Sequence, residues 1–533
     1  MNMRSGLGQA ALCAMAAALL GAALVWFGPP GTDLAAHVYQ RYLVVSDRFA
    51  LWDNFWYAGR YDFVGYSLSY YPLAALLGIK SLATLSVAIS GAAFALVAER
   101  EWGADAARWP ARTFALLAAA SVVTAAFPYL LGVACALTAL AALQRQRLAP
   151  FALLSAMTLA TSPLAYLFLL VVLLAAAARA RQVRAAPSVV VAVTVVAGFA
   201  ISRAFPGGGR FPFSWSEFLG VLAFCLVGMA FTWRIPRARL LFAVFAVYAA
   251  ACVLLYLFPS SIGANVVRLR FVAIPLAALV LTLRQWRPLL PALAAMALAL
   301  SWNLTPIAYS LSRGTDDPSA KRSYWAPSIR FLRSHLDPSY RVEAVDTLGH
   351  WEAVYLAEAG IPLVRGWFRQ SDFPQNELLY DSIGRRSYLA WLRRMGVRYV
   401  VLTSAPVDYS ARSEARLLRR GDSHLERVFQ SKTTTIYRVS SPRPIVSGPS
   451  PARVVALRMT SLNFRIKRPG TYHVAIRYTP YWVGRDVCIQ QTADGMFTVQ
   501  TSRAGLVRLQ FQFTPPAAFR ALLGAHPECS PRG

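Results

Sequence analysis

The stretch 150–178, PFALLSAMTLATSPLAYLFLLVVLLAAAA, decides how often this chain crosses a membrane. As one long helix it leaves ten apolar spans; as a hairpin turning at Thr161–Ser162–Pro163 it leaves eleven. Charge chooses between them, because short Lys/Arg clusters between spans collect on the cytoplasmic side. Five such clusters interrupt the apolar runs: Glu99–Arg112, Arg145–Arg147, Arg179–Arg184, Arg234–Arg239 and Arg284–Arg287. With the hairpin, all five share the side of the N-terminus; with one helix, the later ones switch side. The hairpin is therefore the expected arrangement.

The spans then run near 7–27, 82–98, 112–126, 128–144, 150–162, 164–178, 187–203, 216–232, 239–257, 270–283 and 288–304. Several are shorter than the roughly 20 residues a full crossing needs. The first run, Leu7–Phe27, is too long for a signal-peptide core and has no small-residue cleavage site before Pro29, so it reads as an uncleaved first helix. The N-terminus, on the side of the basic clusters, is then expected in the cytoplasm, the first loop outside, and, with an odd number of spans, the C-terminal part outside as well.

Composition supports this class. The 533 residues are 56% hydrophobic and 15% charged, where a soluble domain carries about 25% charged residues. The net charge of +29, from 54 basic and 25 acidic residues, does not indicate nucleic acid, because much of it sits in the clusters between spans. The Arg-rich C-terminal part is suited to lie against anionic lipid headgroups. Cys13, Cys135, Cys225 and Cys252 fall in apolar runs and read as small packing residues. Cys488 and Cys529 are placed to pair if the C-terminal part is extracytoplasmic.

From about Thr305 the chain reads as soluble. Helices are expected at 323–334 and 387–395, with Gly396 as a stop, and strands at 340–346, 397–402 and 433–439. This order predicts an α/β domain over 305–440. A Ser/Pro-rich linker, 441–452, precedes a β-sandwich-like domain over 453–520, whose turns include Pro469–Gly470 and Asp494–Gly495.

Between the first two spans lies Gly31–Leu73, GTDLAAHVYQRYLVVSDRFALWDNFWYAGRYDFVGYSLSYYPL. It is too long for an ordinary connection and too aromatic to be disordered. Asp33 and His37, spaced i, i+4, share one face of a helix that Thr32 or Asp33 caps, and Arg41 continues that face. Asp53 and Asp62 are suited to bond sugar hydroxyls, and Trp56 to stack on a sugar ring. Trp56, Tyr66, Tyr70 and Tyr71 have interfacial anchoring as the alternative role.

A second constellation, Gly263–Arg270, stands at the outer entrance to the tenth span. Arginines there run against the positive-inside trend. They either snorkel or bind phosphate, which guanidinium does bidentately. Arg268 is the first choice for a phosphate clamp and Arg270 the second, with Asn265 beside them. In the C-terminal domain Tyr478, Tyr481 and Trp482 form either a carbohydrate platform or part of a β-sandwich core. The sequence carries no P-loop, HExxH, GxSxG or dinucleotide fingerprint.

Gly31, Asp33, His37, Trp52, Gly59 and Tyr71–Pro72–Leu73 together resemble the first outer loop of bacterial GT-C-type membrane glycosyltransferases. The similarity is to the YfhO-like group and to membrane proteins called 6-pyruvoyl-tetrahydropterin-synthase-related. Asn265–Arg268, Leu392–Leu402, Tyr478–Trp482 and Asp494–Met496 are also similar to pieces of such proteins. The resemblance implies a GT-C-like membrane domain over 1–304 with its first outer loop at 31–73. It implies transfer of a sugar from a polyprenyl-phosphate donor to an envelope glycan, lipid or protein acceptor on the outer face of a bacterial cytoplasmic (inner) membrane. Its catalytic acid maps onto Asp33.

Many members carry two adjacent acids in this loop, whereas Leu34 follows Asp33 here. That leaves open whether His37, Asp53 or Asp62 shares the task and whether a divalent cation, Mg²⁺ or Mn²⁺, takes part. Two non-catalytic functions compete: a lipid or polysaccharide transporter, and a cell-wall-binding scaffold with a degenerate site. A transporter would be expected to carry charged residues at mid-span, and no row of them occurs here.

Overall fold

A computed structural model describes residues 3–47, 49–180, 184–207, 209–314, 317–421 and 423–524. The expected pairing of Cys488 with Cys529 falls on Cys529, outside the described residues. The chain divides into two compact units.

The first unit, Met1–His37, Tyr66–Phe199 and Arg210–Thr315, is helical. Its helices are α1 (Met3–Phe27), the start of α2 (Leu34–Asp47), α3 (Tyr70–Leu77), α4 (Ile79–Trp102), α5 (Ala104–Ala120), α6 (Phe127–Gln144), α7 (Leu148–Thr161), α8 (Pro163–Ala180), most of α9 (Ala185–Ala204), α10 (Trp215–Thr232), α11 (Arg239–Leu257), α12 (Ala273–Leu283) and α13 (Leu289–Gly314). Among the described residues, nine helical segments are long and apolar enough to cross a membrane. The protein is a multi-pass membrane protein.

The two expected spans outside that set correspond to α5 and α7. Helix α5 contains Pro110 and gives way at Ser121–Thr124 to a short 3₁₀ turn. Helix α7 is a shorter apolar helix of 14 residues. The break between α7 and α8 falls at Ser162, whose extended backbone (φ −155°, ψ 108°) ends one helix as Pro163 begins the next.

Small residues bring these helices close. Helix α1 packs on α4 and α5, α4 on α6, and α11 on α8 and α10. Cys13, Ala17 and Gly91 are buried where α1 meets α4; a Cβ on Gly91 would stand 3.0 Å from the Cys13 carbonyl oxygen. Close backbone approach replaces the hydrophobic drive that lipid removes. Cys225 and Cys252 are likewise buried free thiols.

The second unit comprises Val38–Gly65, Ala200–Gly209 and the chain from Asp316. The segment 31–73 is thus shared: its middle belongs with the C-terminal region. That middle forms a small antiparallel ribbon, β1 (Trp52–Asp53) with β2 (Arg60–Tyr61).

A four-stranded sheet follows, in the order β3 (Arg341–Ala344), β4 (Val397–Thr403), β6 (Thr434–Arg438), β5 (Glu426–Gln430). Strands β3 and β4 are parallel and the other pairs antiparallel. Helices α14 (Arg322–His335), α15 (Trp351–Glu358), α16 (Arg385–Arg394) and α17 (Arg412–Arg419) accompany it. On α16, Tyr388, Trp391 and Leu392 recur at helical spacing and join Val397, Val400 and Leu418 in one core. Each such aliphatic side chain contributes about 1.5–3 kcal/mol by leaving water.

The remaining strands are β7 (Val446–Ser447), β8 (Ala452–Arg458), β9 (Ser461–Ile466), β10 (Gly470–Val474), β11 (Trp482–Gly484), β12 (Val487–Gln491), β13 (Phe497–Thr501) and β14 (Gly505–Phe511), followed by helix α18 (Pro515–Leu522). They form two sheets, ordered β12-β13-β10-β7 and β11-β14-β9-β8. Inward residues of both, including Val454, Leu462, Phe464, Tyr472, Val499 and Leu509, form one core with Trp52. Strand β7 lies inside the expected linker 441–452, and its neighbour Ile445 and its own Val446 are fully buried.

Candidate functional site

The first unit builds its polar site from three short pieces of chain, 31–37, 263–270 and, around His37, 66–71. Gly31 opens the first. A Cβ there would lie 2.6 Å from the Val123 carbonyl oxygen and 2.7 Å from the Ala125 Cβ, so only glycine lets the strands of backbone touch. The contact seats Thr32 Oγ1 and the Asp33 N–H on the Thr124 carbonyl, each at 3.4 Å. Helix α2 starts immediately after Asp33.

Gly263 opens the second piece. Its φ of +43° and its approach to Phe211, whose carbonyl oxygen a Cβ would meet at 2.0 Å, fix the start of the 3₁₀ segment Gly263–Val272. That segment carries Asn265, Arg268 and Arg270 to the head of α12.

The two pieces meet at Asp33 and Arg268. One guanidinium nitrogen of Arg268 donates to Asp33 Oδ2 at 3.5 Å, and both side chains keep about a quarter of their surface exposed, 24% and 23%. The Arg268 guanidinium also stands 5.8 Å from the Tyr129 ring centre. Asn265 and Arg270 are half-buried in the same segment.

His37 is enclosed beside this pair. Its Nδ1 lies 3.1 Å from the Tyr71 hydroxyl, and the rings of Tyr66, Tyr70, Tyr71 and Phe127 stand 5.7–6.2 Å from its own. Among the described residues, its Nε2 and the buried Tyr70 hydroxyl have no hydrogen-bond partner, and the Ala125 backbone lies close to the ring. Burial first, and then the charge of Arg268, push the His37 pKa down to about 3 despite the nearby carbonyl. A ring with its pKa held that low carries no proton-donating cation at physiological pH.

An apolar cavity of about 230 Å³ opens among α10–α13, lined by Phe224, Val227, Ala277, Val280, Leu298 and Trp302. Its lining on α12 begins seven residues past Arg270, roughly 10 Å along a helix.

The other expected site residues belong to the second unit. Asp53, Trp56 and Asp62 are wholly buried there. The Trp56 indole N–H donates to the Ala353 carbonyl at 2.8 Å, and its ring stacks on Tyr39. Asp53 accepts from the Tyr39 hydroxyl (3.0 Å) and the Phe55 N–H (2.7 Å). Asp62 accepts from Gln40 at 2.9 Å, with Arg60 at 3.8 Å. Burial pushes both carboxyls up, Asp62 to about 6, and the nearby Asp62 charge raises Asp53 further. As placed, these three side chains have no free surface. Arg41 is half-buried on α2.

Tyr481 and Trp482 are also interior. Tyr481 donates to the Ala204 carbonyl at 2.7 Å, and Trp482 packs on Phe497 and Trp52. Tyr478 is partly exposed, along a 270 Å³ cleft that Arg60, Gly207, Gln375, Arg477 and Gln491 help to line.

Sequence reasoning missed a buried charged cluster beside β3 and α15: Asp346, His350, Glu352, Arg365, Arg369, Asp372 and Asp408. The available signal was the spacing Asp346-x₃-His350-x-Glu352 between a strand and a helix.

No family model and no curated protein matches the chain. Among solved structures, the arabinofuranosyltransferase AftD from Mycobacteria is similar over 81% of this chain, at 17% identity and a TM-score of 0.42. The chain spans 40% of that protein's length. The Archaeoglobus fulgidus oligosaccharyltransferase tethered with an acceptor peptide is 13% identical over 81% of this chain and 74% of its own, with a TM-score of 0.39. The oligosaccharyltransferase AglB from the same organism, in complex with an inhibitory peptide and a dolichol-phosphate, is 15% identical over 74% of this chain and 69% of its own, at 0.34. Similarity at this level carries no inference about the chemistry of this chain.

Proposed function

We propose that the protein is an integral membrane glycosyltransferase of the GT-C type. It takes a sugar from a polyprenyl-phosphate donor and transfers it to an envelope glycan, lipid or protein acceptor on the outer face of a bacterial cytoplasmic membrane. In this reading the N-terminus is cytoplasmic and the C-terminal region extracytoplasmic.

The observation that carries the proposal is the Asp33–Arg268 pair at 3.5 Å. A carboxylate that accepts a proton and a guanidinium that accepts phosphate charge stand within reach of one reacting centre. The acceptor hydroxyl gives its proton to Asp33 as its oxygen attacks the sugar's anomeric carbon. The bond from that carbon to the phosphate oxygen breaks, its electron pair stays on that oxygen, and Arg268, supported by Arg270, donates hydrogen bonds that neutralise the departing phosphate. Neutral His37, with Tyr70 and Tyr71 around it, orients the acceptor; the unpartnered Tyr70 hydroxyl is a buried polar group of the kind a ligand satisfies. The apolar cavity along α12 offers room for part of the donor's isoprenoid tail.

The test is sugar transfer from radiolabelled polyprenyl-phosphate sugars by the purified full-length protein in lipid vesicles. Asp33→Asn is expected to abolish transfer while the protein remains folded in the membrane. Wild-type turnover by that variant would remove Asp33 from the mechanism. Failure of the wild-type protein with every such donor would remove the function.

A further inference from the structure

The cluster at the junction of β3 and α15 has a composition that its own ion pairs do not explain. Among the described residues, the buried acids Asp346, Glu352, Asp372 and Asp408 surround two arginines, buried Arg365 and nearly buried Arg369. Arg365 bridges Asp346 (2.7 Å) and Asp372 (2.8 Å), and Arg369 holds Asp408 at 3.0 Å. Ser410 also approaches Asp346, at 3.4 Å. Glu352 accepts from the Thr347 hydroxyl through Oε2 at 2.6 Å, and its Oε1 has no hydrogen-bond partner.

His350 sits in the middle of these acids, 1% exposed, and among the described residues neither ring nitrogen has a partner at hydrogen-bond distance. Its Nδ1 is 3.6 Å from Glu352 Oε1 and 3.8 Å from Asp346 Oδ2. Those separations are too long for hydrogen bonds. They suit donors that share a central atom. Two donors, each about 2.1–2.2 Å from a four-coordinate ion, lie about 3.4–3.6 Å apart, within a few tenths of an ångström of the 3.6 Å and 3.8 Å found here. One donor atom from each of Asp346, His350 and Glu352 can be chosen so that all lie within 4.8 Å of one another.

Nδ1 is the nitrogen that faces Asp346 and Glu352. Asp408 Oδ2 lies on the side of the opposite nitrogen, Nε2, at 3.9 Å, beyond hydrogen-bond distance but on the side where a carboxylate partners a metal-bound imidazole. The Trp367 indole stacks on the ring, with centroids 3.5 Å apart and planes at 12°, and closes one face to water. His350 itself has φ +54°, a strained backbone for a residue with a side chain.

We propose that Asp346, His350 and Glu352 bind a divalent transition-metal cation, zinc before manganese, through one imidazole nitrogen and two carboxylates. Imidazole with carboxylates is a donor set for borderline cations rather than for calcium. The ion offsets the excess of buried acid and ties the loop after β3 to the first turn of α15. Neither the glycosyltransferase function nor Asp33 enters this proposal.

The test uses the full-length protein in detergent, stripped with a chelator and reloaded with Zn²⁺, Mn²⁺ or Co²⁺ alone. The expected results are one Zn²⁺ per chain by elemental analysis and a thermal midpoint that falls on stripping and recovers with Zn²⁺. Co²⁺ should give visible absorption bands of a four-coordinate site. Glu352→Gln, which keeps shape and the Thr347 contact, should weaken Zn²⁺ at least tenfold, as should His350→Ala. Absence of bound metal in the folded wild-type protein, with a midpoint indifferent to Zn²⁺ and no cobalt bands, would overturn the proposal. So would unchanged metal content in folded Glu352→Gln and His350→Ala.

Discussion

The Asp33 carboxylate and the Arg268 guanidinium, 235 residues apart in the chain, meet at 3.5 Å. Each is brought there by a glycine, Gly31 or Gly263, at a point where no side chain fits. In the proposed function Arg268 holds the donor phosphate. Arg268→Ala should therefore raise the donor KM about 10- to 100-fold, the loss of a charge-assisted hydrogen bond worth about 1.5–3 kcal/mol. Arg268→Lys should recover part of the loss, because lysine restores the charge but not the forked donor. Initial rates against donor concentration check this; an unchanged KM in Arg268→Ala would place the phosphate elsewhere.

His37 gives a pH prediction. Its pKa is pushed down to about 3 by burial, so it loses its proton far below the physiological range. The rate should show no limb near pH 6.5, where an exposed histidine titrates. A limb at that pH that disappears in His37→Gln would mean that the ring opens to solvent and acts as an acid or base.

Asp62 gives a stability prediction. Its folded pKa, about 6, lies above the ordinary value of 3.8. Between those values the folded protein holds a proton that the unfolded chain has released, so stability falls as pH rises from about 4 to about 6. Asp53, raised in the same direction, extends the fall upward. The effect from Asp62 is on the order of 3 kcal/mol. Thermal midpoints of the full-length protein across this window should decline, and Asp62→Asn should flatten the decline. A midpoint that rises over the same range with no change in Asp62→Asn would contradict the assignment.

Trp56 separates packing from recognition. It is fully buried, bonded to the Ala353 carbonyl and stacked on Tyr39 at 4.4 Å. Trp56→Ala should destabilise the protein by about 3–5 kcal/mol. Trp56→Phe should retain the wild-type KM for sugar donor and acceptor. A large KM change in folded Trp56→Phe would instead put a sugar against this ring.

The helical half, and part of the α/β sheet, were legible because their signals are local. The Thr161–Ser162–Pro163 break and the long apolar runs of the first unit, and the stop at Gly396 in the second, all read directly from the chain. The strand expected at 397–402 spans Val397–Thr403, and the helix expected at 387–395 spans Arg385–Arg394. The division of 31–73 between the two units was not legible. Trp52, Trp56 and Tyr57 pack against residues hundreds of positions later, and a buried aromatic has the same letter as one that anchors at an interface or stacks on sugar. The Asp346–Asp408 cluster was hidden for a similar reason, since Arg365, Arg369, Asp372 and Asp408 join Asp346, His350 and Glu352 from separate stretches of the chain. Of the polar site, the residues named from short spacing or local motif, Asp33, His37, Tyr71 and Arg268, lie together in the first unit, whereas Asp53, Trp56 and Asp62 are interior to the second.

The proposed chemistry is tested most directly by a high-resolution cryo-EM map of the full-length protein with polyprenyl phosphate bound in a lipid nanodisc. The expected result is a phosphate within hydrogen-bonding distance of Arg268, beside Asp33, with the isoprenoid chain running along Ala277 and Val280. A lipid phosphate seated elsewhere, with the Asp33–Arg268 pair untouched and transfer unaffected by Arg268→Ala, would contradict it.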